Sequence, residues 1–162
     1  MLATLLILSQ LANPPAALPE AVQKDIDYAG EMCHALGEIF KFSPKFIEQA
    51  DFNQDGQPDY VLDARGFECG RQTKNLFHNA AGQPLYLYLS GDDGWKKSFN
   101  AYVYEFRIKQ VYGEAPQFDV WVRGEVGYQT NFVRYQWNGE EMAVMEQKMN
   151  AEIPKQLWKN FD

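Results

Sequence analysis

Basic residues are scarce in this sequence, and they do not cluster. The 162-residue chain carries 15 lysines and arginines against 22 aspartates and glutamates, which gives a formal net charge of -7. Its longest basic run is the pair Lys96-Lys97. A protein that neutralises the phosphates of a nucleic acid needs a basic face. The composition therefore argues against general nucleic-acid binding, and no nucleic-acid partner is expected.

Long apolar runs are also missing. The N-terminal apolar stretch, from Met1 to Ala12, is shorter than the ~20 apolar residues that a membrane-spanning helix needs, so no transmembrane span is expected. A short apolar run followed by small residues and prolines is typical of an export signal. The sequence therefore predicts a signal peptide over residues 1–17, a single globular domain over residues 18–162, and a periplasmic or secreted protein.

The predicted signal departs from the usual pattern in two respects. No clean small-x-small cleavage site stands around Ala16 and Ala17. No lysine or arginine precedes the apolar run. A start codon assigned too far downstream would explain this, because it would remove the basic region of the signal. A short buried or amphipathic helix is the alternative interpretation of the same residues.

Cysteine and histidine are each present only twice. The cysteines are Cys33 and Cys69, and the histidines are His34 and His78. No Cys/His spacing indicates zinc, and neither histidine lies in a nucleophile motif, so no catalytic residue and no organic cofactor is expected. An even number of cysteines in an exported chain is consistent with one disulfide, here Cys33–Cys69. Two unrelated buried thiols are the alternative.

Periodicity predicts one helix followed by strands. Apolar residues recur every three or four positions between residues 19 and 37, from Val22 to Leu36, and Gly37 fits a helix end. After Pro44 the pattern turns to strands, and five to seven are expected. The sequence predicts an α+β, mainly β fold, with the N-terminal helix packed on an antiparallel meander sheet or a small sandwich. The candidate strands are residues 45–50, 60–64, 85–90, 102–109, 118–122, 133–137 and 142–145.

The segment DFNQDGQPDYVLD, residues 51–63, carries the one motif with a specific chemistry. Oxygen-bearing side chains stand at every second position of its first half, and Gly56 stands where a chain wrapping an ion must turn sharply. Calcium takes about six to eight oxygen ligands from carboxylates, amides, backbone carbonyls and water. The spacing therefore predicts a Ca²⁺ site. Its candidate ligands are the side chains of Asp51, Asn53, Asp55 and Asp59, the last directly or through water, and the backbone carbonyl of Gln57.

Two observations limit this interpretation. Leu62 stands where the EF-hand pattern requires a glutamate, and strands rather than helices are predicted on both sides, so the loop is not an EF-hand. A polar turn without metal is the alternative, because aspartate, asparagine and glycine are ordinary turn formers.

The loop resembles the D-x-D/N-x-D-G-x-x-D loop of FG-GAP/VCBS-type repeats, in which a calcium loop joins two β-strands. The resemblance implies ligands at Asp51, Asn53, Asp55 and Asp59 and at the Gln57 carbonyl. It covers only the loop and the strand after it, and the loop occurs once, so the propeller fold of that family is not expected here. More loosely, the chain resembles small exported bacterial proteins of unknown function that carry one such loop near a cysteine.

These patterns predict a non-enzymatic exported protein with one structural calcium-binding loop. A first alternative is an envelope binding module that recognises a glycan or a protein partner through an aromatic sheet face containing Tyr86, Tyr88 and Trp121. A second is a hydrolase that uses a pair of acids in a cleft.

Overall fold

The computed structural model describes residues 17–125 and 129–157, so the predicted signal segment lies outside the described residues except for Ala17. Three short 3-10 helices, Pro44–Phe46, Ala64–Gly66 and Gly70–Gln72, lie between the main elements. The helices and strands are, in chain order, α1 (Glu20–Ala35), β1 (Phe40–Phe42), β2 (Ile47–Ala50), β3 (Asp59–Asp63), β4 (Phe67–Cys69), α2 (Thr73–Phe77), β5 (Gln83–Leu89), β6 (Lys96–Val103), β7 (Glu105–Lys109), β8 (Gln117–Arg123), β9 (Thr130–Trp137) and β10 (Met142–Lys148).

Helix α1 confirms the predicted N-terminal helix. It begins after Pro19, whose carbonyl accepts two backbone hydrogen bonds of 3.0 Å, and it ends just before Gly37, which has a φ of 73°. Leu36 was predicted on the apolar stripe but follows the last helical residue and is 52% exposed, so that assignment was wrong. The buried face consists of Val22, Ile26, Ala29, Gly30 and Cys33.

No helix within the described residues is both long and apolar enough to cross a membrane.

Most of the strands form two four-stranded antiparallel sheets. The N-terminal sheet has the order β2-β3-β5-β6 and the C-terminal sheet the order β10-β9-β8-β7, while β1 and β4 form a separate two-stranded ribbon. The two larger sheets share one hydrophobic cluster, and the other face of the N-terminal sheet contributes Tyr60, Leu62 and Tyr88 to a second cluster with helix α1. The α+β, mainly β class is therefore confirmed. The shared cluster includes Val61, Leu85 and Leu87 from one sheet and Phe118, Val120 and Val133 from the other.

The predicted strand 102–109 is two strands, and the chain passes from one sheet to the other between them. β6 ends at Val103 and β7 begins at Glu105, while the backbone N–H of Tyr104 donates to the Trp121 carbonyl over 2.7 Å. Alternation over 102–109 predicts Tyr102 on the apolar face with Phe106, and Val103 on the opposite face, but Val103 is buried and Tyr102 is 44% exposed. Alternation along the chain does not reveal where a strand changes sheets, and three-residue strands such as β1 and β4 are too short to alternate visibly. The described residues consequently hold ten strands rather than five to seven.

The two cysteines form a disulfide, as predicted, and the alternative of two unrelated thiols was wrong. The Cα atoms of Cys33 and Cys69 are 5.6 Å apart, and both side chains are fully buried. The bond joins the last turn of α1 to β4. It lies in the same hydrophobic cluster as Phe67 and Phe77, whose rings meet edge to face.

Candidate metal site in the loop 51–59

The Asp-rich loop connects two neighbouring antiparallel strands. In the register of β2 and β3, Ala50 lies opposite Asp59, so the intervening residues form the turn at that end of the sheet. Gly56 has a φ of 84° and open space around its Cα, as expected where the loop turns sharply. Gln54 has a φ of 59°, a conformation that costs a non-glycine residue roughly 1–2 kcal/mol. The loop therefore has the strand-turn-strand setting that the sequence predicts.

Three candidate ligand side chains fold inward onto the loop's own backbone. The Oδ1 atoms of Asp51 and Asn53 each accept a hydrogen bond of 3.1 Å from the backbone N–H of Asp55. The Oδ2 atom of Asp51 accepts one of 3.0 Å from Gly56, and Oδ1 of Asp55 accepts one of 2.8 Å from Gln57. The side-chain oxygens of Asp51 and Asn53 therefore converge on one N–H group rather than pointing apart.

Asp59 has a different environment from the other candidate ligands, because it is completely buried. Its Oδ2 atom accepts from the backbone N–H groups of Phe52, at 2.7 Å, and Asn53, at 3.3 Å. Its Oδ1 atom accepts from the backbone N–H of Ser90, at 2.7 Å, and the Ser90 hydroxyl, at 2.8 Å. Three of these donors are backbone N–H groups, which fix the carboxylate in place. Asp59 thus holds the start of the loop against the residue that follows β5.

The pKa values of the two acids differ in direction. Burial raises the pKa of Asp59 more than the hydrogen bonds from Ser90, Phe52 and Asn53 lower it. The pKa of Asp55 is lowered, first by the backbone hydrogen bond from Gln57 and then by those from Ser90 and Asn53, which outweigh desolvation. Asp55 is consequently anionic at neutral pH.

Ser90 belongs to the site, although no sequence motif marks it. Its hydroxyl oxygen lies 2.9 Å from Oδ2 of Asp55 and 2.8 Å from Oδ1 of Asp59. A hydroxyl has one proton, so only one of these carboxylates receives it, and the other oxygen–oxygen contact needs a proton or cation nearby. Ser90 reaches the loop because β5 pairs with β3, with Tyr88 opposite Tyr60. That pairing is not visible in the local sequence pattern.

Among the residues that the structure describes, no basic side chain compensates the charge of the loop. The ion pairs between described residues lie elsewhere in the fold and include none with Asp51, Asp55 or Asp59. Across the described ranges there is also no group of three or more His, Cys, Asp or Glu side chains that could hold a metal ion. The loop offers instead a mixed set of carboxylate, amide and backbone carbonyl oxygens. Such a set is chemically suited to Ca²⁺ rather than to a transition metal.

The aromatic face proposed as an alternative site is largely inaccessible. Tyr88 is fully buried beneath α1, and Trp121 is 3% exposed, with its indole N–H donating to the Glu152 carbonyl over 3.2 Å. Tyr86 is half-buried, with the Lys97 ammonium 4.7 Å from its ring centre. These three residues do not form an exposed aromatic platform.

Two buried acids lie close together elsewhere, but an arginine stands between them. Asp63 and Glu105 both pair with Arg65, and burial raises the pKa of each carboxyl group. Glycoside hydrolysis by an acid pair needs two carboxyl groups that face the substrate from either side of the scissile bond. A guanidinium group bound to both carboxylates is an ion cluster, which gives the hydrolase alternative no support.

Comparison of the chain with protein-family models, with curated proteins and with solved structures found no match.

Proposed function

We propose that this is a non-enzymatic exported protein in which the loop 51–59 binds one Ca²⁺ ion that stabilises the fold. The observation that carries the proposal is the convergence of the Asp51 and Asn53 oxygens on the backbone N–H of Asp55. Each of these oxygens keeps a lone pair for a metal. The proposed ligands are the side chains of Asp51, Asn53 and Asp55 and the carbonyl of Gln57, with Asp59 holding the loop and contributing directly or through water.

Electrostatics support a cation at this place. Three carboxylates, Asp51, Asp55 and Asp59, lie within nine residues of chain, and no described basic side chain pairs with them. The Ser90 hydroxyl has a single proton for its contacts with two of them. A divalent cation would relieve both the mutual repulsion and this shortage of donors.

The surroundings of the loop favour a structural role over a signalling one. The loop joins β2 to β3, and it lies in the segment that the Cys33–Cys69 bond closes. Calcium sensors act by opening a pair of helices, and strands flank this loop. The disulfide also supports export, because disulfides persist in oxidising compartments.

Calcium is expected to raise the thermal stability of the protein. Extracellular calcium modules bind with dissociation constants of roughly 10⁻⁴–10⁻³ M, so one hundred times the dissociation constant corresponds to about 10–100 mM calcium. At one hundred times the dissociation constant, binding contributes about 2.7 kcal/mol, which for a domain of this size raises Tm by about 5–10 °C. The measurement is thermal unfolding of the chain from residue 18 onward, in calcium and in EGTA.

Two variants show where the ion binds. Asp55→Ala is expected to abolish the calcium-dependent rise, because it removes a proposed ligand. Asp92→Ala is the matched control, since Asp92 is an exposed acid in the neighbouring turn and is not a proposed ligand. Equal Tm values for the unmodified chain in calcium and in EGTA would make the loop a polar turn and overturn the proposal.

A further inference from the structure

A cavity of about 970 Å³ lies at the Gln83 end of β5, opposite to the end that meets the loop, where the chain passes from β6 to β7. Its volume is at the upper end of the ~300–1,000 Å³ that is usual for small-molecule sites. Most of the surface that lines it is apolar. The described residues in its lining include Ala80, Gln83, Glu105, Ala151, Glu152 and Lys155.

The wall formed by the C-terminal segment is held in place by hydrogen bonds. The backbone N–H of Ala151 donates to the Thr130 carbonyl over 2.8 Å, next to the start of β9. The Trp121 indole N–H donates to the carbonyl of the next residue, Glu152, over 3.2 Å. The segment after β10 is thereby fixed against the C-terminal sheet, and the cavity exists before any ligand enters.

A buried negative charge lies in the opposite wall. Glu105 is 2% exposed, and its Oε1 atom accepts from the backbone N–H of Phe106 over 3.0 Å. Its Oε2 atom accepts from Arg65 over 3.2 Å, and the same guanidinium group pairs with Asp63. Two carboxylates thus share one arginine. Burial lowers the pKa of His78, which lies near Asp63, so the uncharged imidazole is favoured at neutral pH.

Among the described residues around the cavity, acidic groups therefore outnumber basic ones. On the rim, Glu152 and Lys155 have opposite charges that offset each other. In the wall, two acids, Asp63 and Glu105, share one basic group, Arg65, among the described residues. Charges in a low-dielectric interior act more strongly on a neighbouring group than charges in water do. An anionic ligand would be repelled here, and a cationic one attracted.

We propose that this cavity binds a small amphipathic amine, with its apolar body against the cavity walls and its ammonium group beside Glu105. The buried amide of Gln83, whose Nε2 atom lies 3.4 Å from the Tyr104 carbonyl, is a second polar group in the wall that helps to orient the ligand. This site is independent of the calcium loop, and each can fail without the other.

Isothermal titration with three probes of similar shape tests the class of ligand. Phenethylamine is expected to bind, 2-phenylethanol about tenfold more weakly, and 3-phenylpropionate not measurably, because a hydrogen bond to a charged group supplies about a factor of ten. No binding of phenethylamine, or equal binding of all three probes, would overturn the proposal.

Variants of the cavity test the placement of the amine. Glu105→Gln keeps the side-chain shape and is expected to weaken phenethylamine binding about tenfold, whereas Glu152→Gln on the rim is the control and changes it little.

Because Glu105 is buried and Glu105→Gln can destabilise the fold, Ala80→Trp provides a second test. Ala80 is exposed at the cavity, so a tryptophan there is expected to block entry without disturbing the core. Unchanged binding in the folded Glu105→Gln variant, or in Ala80→Trp, would contradict the site.

Discussion

Replacing Cys33 and Cys69 together with alanine is expected to lower the free energy of unfolding by about 4 kcal/mol. The disulfide joins residues separated by 36 positions, and in the chain-entropy treatment it restricts the unfolded state of the whole intervening segment. Both side chains are fully buried, so their removal also leaves a small space in the cluster beneath α1. For a protein of this size, a loss of this magnitude is a large fraction of the total stability.

Equilibrium unfolding in urea checks this expectation. The Cys33→Ala/Cys69→Ala variant and the unmodified chain are compared in EGTA, so that calcium binding does not contribute to the difference. Reductant is expected to shift the midpoint of the unmodified chain towards that of the variant and to leave the variant itself unchanged. Coincident midpoints for the two proteins under oxidising conditions would show that the bond does not stabilise the fold.

The parts of the fold that depend on neighbours in the chain were predictable. The spacing of Val22, Ile26, Ala29 and Cys33 predicts helix α1, because a helix brings residues three and four apart onto one face. The predicted disulfide follows from the number of cysteines and an oxidising setting rather than from geometry. The strand-turn-strand setting of the loop 51–59 follows from Gly56 and its flanking apolar residues.

What depends on distant pairing was not predictable. Ser90 joins the loop only because β5 lies beside β3, and Glu105 meets Arg65 across 40 positions of chain. Trp121 stands on the outer side of its strand, as alternation predicts, but the C-terminal segment covers it. A single sequence records which residues alternate and not which segments later pack over them.

The largest electrostatic effect is expected at Asp119 on the outer face of the C-terminal sheet. Asp119 is completely buried and pairs with Arg107 over 2.5 Å and with Arg134 over 2.7 Å. Replacement of one member of a buried ion pair leaves the partner charges uncompensated, at a cost of roughly 3–5 kcal/mol. Because both arginines are partly exposed, we expect Asp119→Asn to cost about 3 kcal/mol. The measurement is equilibrium unfolding in urea at pH 7.

The matched control is Glu146→Gln. Glu146 pairs with the same Arg134 over 3.0 Å, but its side chain is 34% exposed. Solvent screens such a pair, so its loss is expected to have a much smaller effect than that of Asp119→Asn. Equal losses in the two variants would indicate that burial of Asp119 does not determine its contribution.

The contribution of Asp119 is also expected to depend on pH. Burial alone would raise the pKa of this carboxyl group, but the hydrogen bonds and charges of Arg134 and Arg107 outweigh it and hold the pKa below the usual value.

The folded pKa of Asp119 is therefore lower than the unfolded pKa of about 3.9, so the unfolded chain binds a proton first as the pH falls. Stability from this group is present above the unfolded pKa and is lost as the pH falls towards the folded pKa. The difference in unfolding free energy between the unmodified chain and Asp119→Asn is thus expected to shrink between about pH 5 and pH 2. A difference that stayed constant over this range would mean that the carboxylate is not the group through which the two arginines stabilise the sheet.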